Sequence, residues 1–337
     1  MIPRIRIAQL PTPVEKLPHL SAVLGGPQLW VKRDDQTGLA IGGNKTRKLE
    51  FVLADAQAHE ARTLITVGAA QSNHCRQTAA LAARFGMHCI LVLSGDPSQA
   101  ASGNLLLDQL FGAEIIWTSR EERKLTLKKT FENAKENGSE PYLIPLGASD
   151  PIGTLGYMVA FNEMLSQQIS ADWIVVASSS GGTQAGLVLG AHLQAWKGKV
   201  LGISIDEPAE YLQGMLARLA SDASVLAGKR LDINPEDVLV NDDYLGRGYG
   251  VMDRPEREAI QLFARQEGLL LDPVYTGRAA AGLIDLIRRG FFKLGDTVLF
   301  WHTGGTPALF ADTYQENLID KSPKSRTIRG WQNGNIK

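Results

Sequence analysis

The sequence predicts an α/β protein with two open, twisted, mostly parallel sheets, and three observations lead to this prediction. Short apolar runs of strand length alternate with helical patterns along most of the chain. Glycines follow the helical patterns before the next apolar run. The strand–helix units form two groups on either side of a loop rich in Gly, Ser and Pro at residues 146–155. Such alternation favours parallel strands covered by helices on both faces, so we expect two α/β domains.

The individual elements are predicted from these patterns in chain order. An amphipathic helix begins near Lys48, directly after a turn that contains Gly42 and Gly43. The apolar runs interpreted as buried strands are 63–67, 88–93, 114–117, 173–177, 200–205 and 296–301. The helices that a glycine ends are 76–85, before Gly86, and 104–111, before Gly112. Residues from about Lys321 are polar and basic without periodicity, and we expect a frayed tail there.

Composition and charge restrict the possible functions. The 337 residues suffice for about two domains, and the apolar fraction of 44% and charged fraction of 21% are those of an ordinary globular protein. A formal net charge of -1 disfavours nucleic acid or an anionic membrane as partner. Cys75 and Cys89 form no CxxC pair or metal-ligand cluster, so we expect reduced thiols, no metal and a cytoplasmic location. No signal peptide or membrane span is expected, because no apolar run is long enough.

Residues 42–48, with the sequence Gly-Gly-Asn-Lys-Thr-Arg-Lys, are the most informative stretch. They place Lys45 where a Gly-rich turn enters a helix, so that its amine can approach a planar ligand. A lysine removed from water has a lowered pKa and becomes a nucleophile towards carbonyl compounds. For this stretch alone, a solvated lysine at a helix start is the alternative.

A second Gly-rich loop follows the strand predicted at 173–177. Its residues Ser180, Gly181, Gly182 and Thr183 precede a helix. Small side chains let backbone amides converge on an anion at a helix N-terminus. The loop matches neither the GxGxxG motif nor a P-loop ending in GK[ST], so it predicts a cradle for one phosphate. A tight strand-to-helix turn is the alternative.

Ser72, Asn73 and His74 stand in the same relation to the strand at 63–67 and the helix after it. Free amides at that helix start suit a second anion, such as a substrate carboxylate. The Ser72 hydroxyl and the Asn73 amide can reach a ligand, although helix capping by either residue is the alternative. For a single helical histidine such as His74, a structural role is the more common one.

Three further polar turns carry candidate residues. Thr303 lies in a His-Thr-Gly-Gly turn after the strand at 296–301. Tyr275 and Thr276 precede a helix of small residues, and Tyr249 lies between two glycines. A tyrosine in a turn is usually half-buried packing, but one beside a cationic group can donate or accept a proton. Ligands of open α/β sheets bind beyond the carboxyl ends of the strands, where these loops fall.

Together and in this order, the loops resemble those of the fold-type II pyridoxal-phosphate (PLP) enzymes, which share the fold of the tryptophan synthase β chain. They are most similar to the branch that contains 1-aminocyclopropane-1-carboxylate (ACC) deaminase, D-cysteine desulfhydrase and L-cysteate sulfo-lyase. The matching segments are 32–35, 42–50, 71–74, 181–183, 274–277 and 302–305. The resemblance runs from about Pro11 to Phe310 and is far more specific for the branch than for the substrate.

The resemblance implies that pyridoxal 5'-phosphate lies in the cleft between a large PLP-binding domain (1–50 plus 161–337) and a small substrate-binding domain (51–160), in a homodimer. Lys45 would hold the cofactor as a Schiff base, and Asn73 would hydrogen-bond its ring hydroxyl. The other implied cofactor ligands are Lys48, Ser180, Gly181, Gly182, Thr183, Thr276 and Thr303. The implied substrate contacts are Ser72, Asn73, His74, Tyr249 and Tyr275, and the implied catalytic residues are Lys45, Ser72, Tyr249 and Tyr275.

Two threonines help to choose within the branch. ACC deaminases that resemble this chain have glutamate at the position of Thr276 and leucine at that of Thr303, whereas threonine at both is the desulfhydrase pattern. A hydroxyl near the pyridine nitrogen does not favour ring protonation, so the cofactor is a milder electron sink. A milder sink suffices when a good leaving group departs from the β-carbon. We therefore expect β-elimination from D-cysteine or a related β-substituted alanine, with Lys45 removing the α-proton and with pyruvate, ammonia and sulfide as products.

Other functions stay open. An L-cysteate sulfo-lyase would require a further cation for the sulfonate, and Arg247 and Arg278 are candidates. An ACC deaminase is disfavoured by the two threonines. A non-catalytic PLP carrier would need only Lys45 and the phosphate loop. A Rossmann-type dinucleotide binder is disfavoured because the chain lacks GxGxxG with a later acidic residue.

Overall fold

The computed structural model describes residues 2–98 and 100–318. Within them the strands are Val14–Lys16 (β1), Gln28–Arg33 (β2), Thr63–Ala69 (β3), His88–Ser94 (β4), Glu114–Thr118 (β5), Pro141–Leu143 (β6), Trp173–Ser178 (β7), Lys199–Ser204 (β8), Leu239–Asn241 (β9) and Thr297–His302 (β10). The α-helices are Pro18–Leu24 (α1), Lys45–Ala58 (α2), Asn73–Arg84 (α3), Gly103–Leu110 (α4), Arg123–Glu136 (α5), Pro151–Ser166 (α6), Gly182–Leu193 (α7), Ala209–Leu226 (α8), Arg254–Glu267 (α9), Thr276–Arg288 (α10) and Asp312–Leu318 (α11). The tail expected from Lys321 lies outside the described residues.

The strands form two separate sheets. The larger has the order β1-β2-β10-β7-β8-β9, and its neighbouring strands are parallel except for the antiparallel pair β1–β2. The smaller has the order β5-β4-β3-β6 and is parallel throughout. The predicted fold class, an α/β protein with two mostly parallel sheets, is confirmed. The domain boundaries 1–50 plus 161–337 and 51–160 stay a prediction.

Each strand predicted from an apolar run is present, with ends shifted by one or two residues. Helix α3 begins at Asn73, three residues earlier than predicted, because the Ser72 hydroxyl accepts a hydrogen bond from the Cys75 N–H (3.2 Å) and caps it. The prediction of an amphipathic helix near Lys48 is wrong in one respect. Helix α2 begins at Lys45, and residues 46–53 are all buried because the helix packs against both α3 and α6.

A buried ionic network fixes the start of α2. Asp34, which is fully buried, accepts hydrogen bonds from Arg47 Nη2 (2.8 Å) and Nε (2.9 Å) and from Trp301 Nε1 (2.8 Å). Arg47 also pairs with Glu163 of α6 (2.9 Å). The network therefore joins the first turn of α2, where Lys45 lies, to the larger sheet and to α6. None of the helices in the described ranges combines the length and the hydropathy that a membrane crossing requires.

Candidate active site

A cavity lies where the carboxyl ends of strands from both sheets face one another. Its walls include residues that end or follow β3, β4, β7, β8 and β10, namely Ala69, Ser94, Ser178, Asp206 and Thr303. The space inside, counted to its open mouth, is about 990 Å³. This position at the strand ends is that of a small-molecule site in an α/β protein.

Lys45 points its amine into this cavity from the first residue of α2. Burial lowers the pKa of the Lys45 amine to about 8, although the nearby Asp272 carboxylate acts in the opposite direction. Lys45 Nζ donates to Asn44 Oδ1 (3.0 Å), and Asn44 Nδ2 donates to Thr183 Oγ1 (2.9 Å). Asn44 thus connects the amine to the loop before α7. Near pH 8 much of the amine is neutral, which is the form that attacks a carbonyl carbon.

The turn before Lys45 can be made only with glycine. Gly43 has a φ of 125°, and a Cβ at this position would clash with the Gln77 amide. The Gly43 N–H donates to Asp34 O (3.0 Å) and to Thr37 Oγ1 (2.8 Å). The turn is therefore held rigidly, and it delivers Lys45 to a fixed point on the cavity wall.

The loop before α7, which the sequence predicts to be an anion cradle, brings several hydrogen-bonding groups together around Ser149. Ser149 Oγ accepts from the Gly182 N–H (3.1 Å) and from Lys48 Nζ (2.9 Å), and it lies 2.8 Å from Ser180 Oγ. Donors that converge on one oxygen in this way also suit an oxygen of a phosphate. A Cβ at Gly182 would lie 2.6 Å from Lys48 Nζ, so a side chain there would fill the cradle.

The charge behind this cradle belongs to Lys48. Its side chain is fully buried, and its amine donates to Gly147 O (2.8 Å) and to Ser149. Burial lowers the pKa of Lys48 well below its ordinary value, and the nearby Lys45 acts in the same direction. Among the described residues no carboxylate pairs with this amine. A bound phosphate would supply the missing negative charge.

Asn73 presents a free donor from the start of α3. Its Oδ1 accepts from Arg76 Nη1 (3.1 Å) and from Asn104 Nδ2 (3.0 Å), which fixes the orientation of the amide. Nδ2 has no acceptor among the residues that the structure describes, and Asn73 lines the cavity. The amide is thus held ready to donate to an oxygen of a ligand.

His74 is neutral and structurally engaged. Burial lowers its pKa well below the ordinary value, and the positive charges of Lys45 and Lys48 add to this effect. Its Nε2 lies 2.8 Å from Thr66 Oγ1, which itself donates to Ile144 O. Because the Thr66 hydrogen is already used, His74 Nε2 carries the donated proton, and Nδ1 is left as an acceptor without a partner in the described part of the chain.

Tyr249 and Tyr275 form a hydrogen-bonded pair in the cavity wall. Their hydroxyl oxygens lie 2.6 Å apart, and their rings meet edge to face. Burial raises the pKa of Tyr249 to about 12 and that of Tyr275 well above its ordinary value. Both are therefore neutral phenols at pH 7. One hydroxyl donates to the other, and the second hydrogen is left for a ligand.

The two threonines behave differently. Thr303 lines the cavity, whereas Thr276 is fully buried and does not. Thr276 Oγ1 donates to Asp272 Oδ1 (2.7 Å) and accepts from the Asp272 N–H (2.7 Å). The Asp272 carboxylate also accepts hydrogen bonds from the backbone N–H groups of residues 274–276. A role for Thr276 beside a pyridine nitrogen stays a prediction.

Most of the residues selected from the sequence meet in this one cavity. Those that line it are Lys45, Ser72, Asn73, His74, Ser180, Gly181, Thr183, Tyr249, Tyr275 and Thr303. Lys48 adjoins it by donating to Gly147 O, and Gly182 follows Gly181 in the chain; Gly147 and Gly181 both line the cavity. Arg247 and Arg278 do not line it. Arg278 is buried in an ion pair with Glu256 (2.8 Å), and Arg247 is exposed.

The arginines that do line the cavity are Arg120, which is exposed, and Arg123, which is half-buried. Sequence reasoning misses both, because charged residues at a helix start are common on protein surfaces. It also misses Asp206, although Asp206 follows β8 and the rule that ligands bind beyond strand ends could have identified it. Asn44 lies in the Gly-rich segment at residues 42–48, but no sequence signal of its own marked it as a site residue. Ser149 and Asn104 had none.

These groups fit a phosphorylated aldehyde with a ring hydroxyl: a desolvated amine, a cradle for a dianion and a free amide donor. The family model for pyridoxal-phosphate dependent enzymes matches residues 5–304. A crystal structure described as an ACC deaminase homologue is 39% identical, with a TM-score of 0.86, and the match covers 94% of this chain and 95% of that one.

Two more distant structures share the fold. A threonine deaminase from T.th. is 20% identical with a TM-score of 0.61, and the match covers 87% of this chain and 92% of that one. L-serine ammonia-lyase from the fungus Rhizomucor miehei is 16% identical with a TM-score of 0.67, and the match covers 94% of this chain and 100% of that one. Because the family model matches most of the chain and the site has the groups described above, the chain belongs to the pyridoxal-phosphate dependent enzymes of fold type II. Its cofactor is pyridoxal 5'-phosphate.

Proposed function

We propose that the protein is a PLP-dependent lyase that converts D-cysteine and water to pyruvate, ammonia and sulfide, or a related β-substituted alanine and water to pyruvate, ammonia and its β-substituent. The observation that carries this proposal is that a desolvated amine and a pair of neutral phenols line one cavity. A proton acceptor and a proton donor thus face the same ligand, as an elimination requires. Threonine at 276 and 303 favours a substrate with a good β-leaving group.

The cofactor would be held by residues already in position. Lys45 would bind it covalently, Lys48 and the loop 180–183 would hold its phosphate, and Asn73 Nδ2 would donate to its ring hydroxyl. When bound, pyridoxal phosphate supplies an electron sink for negative charge on the substrate α-carbon.

The protein's own groups would then move the protons. Lys45 Nζ would remove the substrate α-proton, because its lowered pKa leaves a neutral fraction near pH 8. Ser72 and the free N–H groups at the start of α3 bind the substrate carboxylate. The tyrosine pair donates its free hydrogen towards the departing β-substituent.

Product analysis tests the proposal. Purified holoenzyme is offered D-cysteine, L-cysteine, D- and L-cysteate, β-chloro-D-alanine and ACC separately, and the released 2-keto acid is identified. We expect pyruvate from D-cysteine and β-chloro-D-alanine and no 2-oxobutyrate from ACC. Product from ACC would contradict the argument from the two threonines, and no product from any compound would favour a PLP carrier.

L-Cysteate sulfo-lyase activity is a second candidate, and one observation favours it. Arg120 and Arg123 line the cavity and have no carboxylate partner within 4.0 Å among the described residues. Either guanidinium is suited to a sulfonate. Pyruvate from L-cysteate alone in the same assay would assign this activity. ACC deamination is a further candidate, because of the 39% identity to an ACC deaminase homologue.

The pH dependence of cofactor attachment is a first prediction. Because the pKa of Lys45 is lowered from 10.5 to about 8, its amine is protonated below pH 8 and neutral above it. Apoprotein mixed with pyridoxal phosphate should therefore bind it covalently about tenfold faster at pH 9 than at pH 7, with the rise levelling off above pH 9. Stopped-flow absorbance measures this rate. The control is Nα-acetyl-lysine, whose side-chain amine is solvated, and its rate of reaction should keep rising beyond pH 9.

Substitution of Tyr249 by phenylalanine is a second prediction. It removes the hydroxyl that pairs with Tyr275 (2.6 Å) and keeps the ring. We expect kcat for pyruvate release to fall roughly tenfold or more, because proton donation is lost, while cofactor affinity stays the same. Tyr211, an exposed residue of α8, offers the matched control as Tyr211→Phe. An unchanged kcat in Tyr249→Phe would remove the tyrosine pair from the mechanism.

We further propose a cytoplasmic homodimer, on the basis of the reduced, unpaired cysteines Cys75 and Cys89 and of the resemblance to the branch. Sedimentation equilibrium of the holoenzyme would test the dimer.

A further inference from the structure

Asp206 is a cavity residue that the proposed chemistry does not use. It lies just after β8, on the wall that also carries Ser179, Tyr249 and Tyr275. Its Oδ1 is shielded from solvent and has no hydrogen-bond partner in the described part of the chain. No cation lies within 4.0 Å of the carboxylate in the same part of the chain.

An unpaired, buried carboxylate oxygen is energetically unfavourable and is uncommon in folded proteins. Burial accordingly raises the pKa of Asp206, against the opposing effects of the neighbouring Ser179 and of three arginines that act from a distance, Arg120, Arg278 and Arg123. A donor brought in by a ligand would complete the hydrogen bonding that the protein leaves unfinished at Oδ1.

The position of Asp206 indicates which part of a ligand it meets. Its charge contributes to the raised pKa of both tyrosines, so it lies near their hydroxyls. The charges named as shifting the pKa of Lys45 are instead those of Asp272 and Arg76. In a substrate whose α-carbon is at Lys45, Asp206 therefore lies on the side of the tyrosine pair, where the β-substituent extends.

The arginines are arranged differently. Arg120 and Arg123 also line the cavity and act to lower the pKa of Asp206, but Arg120 is exposed to solvent, which weakens its field. The exposure of Arg120 places it towards the mouth, where it attracts any amino-acid carboxylate. Two carboxylates, Asp206 and Asp272, act on the tyrosine pair, and of these two Asp206 lines the cavity.

We propose that Asp206 selects substrates by the charge of the β-substituent, accepting a hydrogen bond from neutral or cationic groups such as thiol, hydroxyl or ammonium and disfavouring anionic groups such as a sulfonate. This inference rests on the proposed function, because that function places the β-substituent beside the tyrosine pair. It also predicts that D-cysteine is preferred over cysteate despite the arginines.

The test compares the holoenzyme with Asp206→Asn, which removes the charge and keeps the volume. Binding is measured by rapid-mixing changes in cofactor absorbance with cysteate (anionic) and 2,3-diaminopropionate (cationic), each as the D and L forms. In Asp206→Asn the ratio of cysteate affinity to diaminopropionate affinity should rise roughly tenfold or more, because a like-charge contact is removed. Glu207→Gln removes a neighbouring carboxylate that does not line the cavity, and it should leave the ratio unchanged.

An unchanged affinity ratio in Asp206→Asn would overturn the inference. If the asparagine variant does not fold, the same affinity ratio is measured in Asp206→Ser, which removes the charge and has a smaller side chain. Pyruvate release from D-cysteine by the unaltered enzyme is measured in parallel, and it tests the proposed function separately. If the affinity ratio shifts but the enzyme releases no pyruvate, Asp206 keeps its proposed role and the lyase activity is rejected. If the enzyme releases pyruvate but the ratio does not shift, the lyase activity is kept and the role of Asp206 is rejected.

Discussion

Replacement of Lys45 by alanine is expected to abolish both the absorbance of covalently bound cofactor and the release of pyruvate. Lys45 is the one lysine that lines the cavity within the described residues, so no other amine there can bind the cofactor covalently. It is also the group proposed to remove the α-proton. Loss of both roles should lower kcat by roughly a thousandfold or more. Absorbance spectra and keto-acid release measure the two effects independently.

Two controls make this experiment decisive. Lys197→Ala removes a lysine outside the cavity and should retain the spectrum and the turnover. An unchanged thermal midpoint of Lys45→Ala apoprotein would show that the substitution leaves the fold intact. Turnover that persists in a folded Lys45→Ala variant would contradict the assignment of this residue.

Asp34→Asn is expected to have the largest effect on stability. The Asp34 carboxylate is fully buried and is bonded to Arg47, Tyr157, Trp301 and Thr12. Removal of its charge leaves the buried Arg47 guanidinium with the half-buried Glu163 as its one carboxylate partner among the described residues. Breaking a buried pair in this way destabilises a protein by about 3–5 kcal/mol. Urea denaturation measures the free energy of unfolding.

The matched control is Glu258→Gln, which breaks an exposed pair with Arg288 (2.7 Å) and should cost at most about 1 kcal/mol. A similar, small loss in both variants would contradict the importance of the buried network. Because α2 begins within this network, Asp34→Asn should also weaken cofactor binding at Lys45.

The lowered pKa of Asp34 also predicts that the folded protein loses stability in acid. Although burial acts to raise the pKa of this carboxyl, Arg47 and Lys32 outweigh burial and hold it at about 2 in the folded protein. The unfolded value is about 3.9, so the stabilisation is complete above that pH. It is lost as the pH falls from about 4 to 2, and Asp34→Asn should lose less stability than the unaltered protein over this range.

The strands and the turn that carries Lys45 follow from local sequence. Each apolar run between polar turns became a strand, since a run buried on both faces of a parallel sheet is apolar throughout. The glycines before Lys45 and before α7 were equally informative, because only glycine fits those turns. Strand β2 was not predicted in this way, because it is not apolar throughout. Its Lys32 is a fully buried charge, compensated by Glu163 (2.6 Å) from far along the chain.

The sequence by itself therefore determined the fold class, the loops at the strand ends and the position of Lys45, because each depends on neighbouring residues. Only the tertiary structure decided how the amide of Asn73 is oriented, which carboxylate Thr276 engages and where Asp206 faces. Arg247 and Arg278 showed the limit of sequence reasoning, since both are charged and neither reaches the cavity. Side-chain direction and partners are set by packing between segments distant in the chain, and no local pattern records that packing.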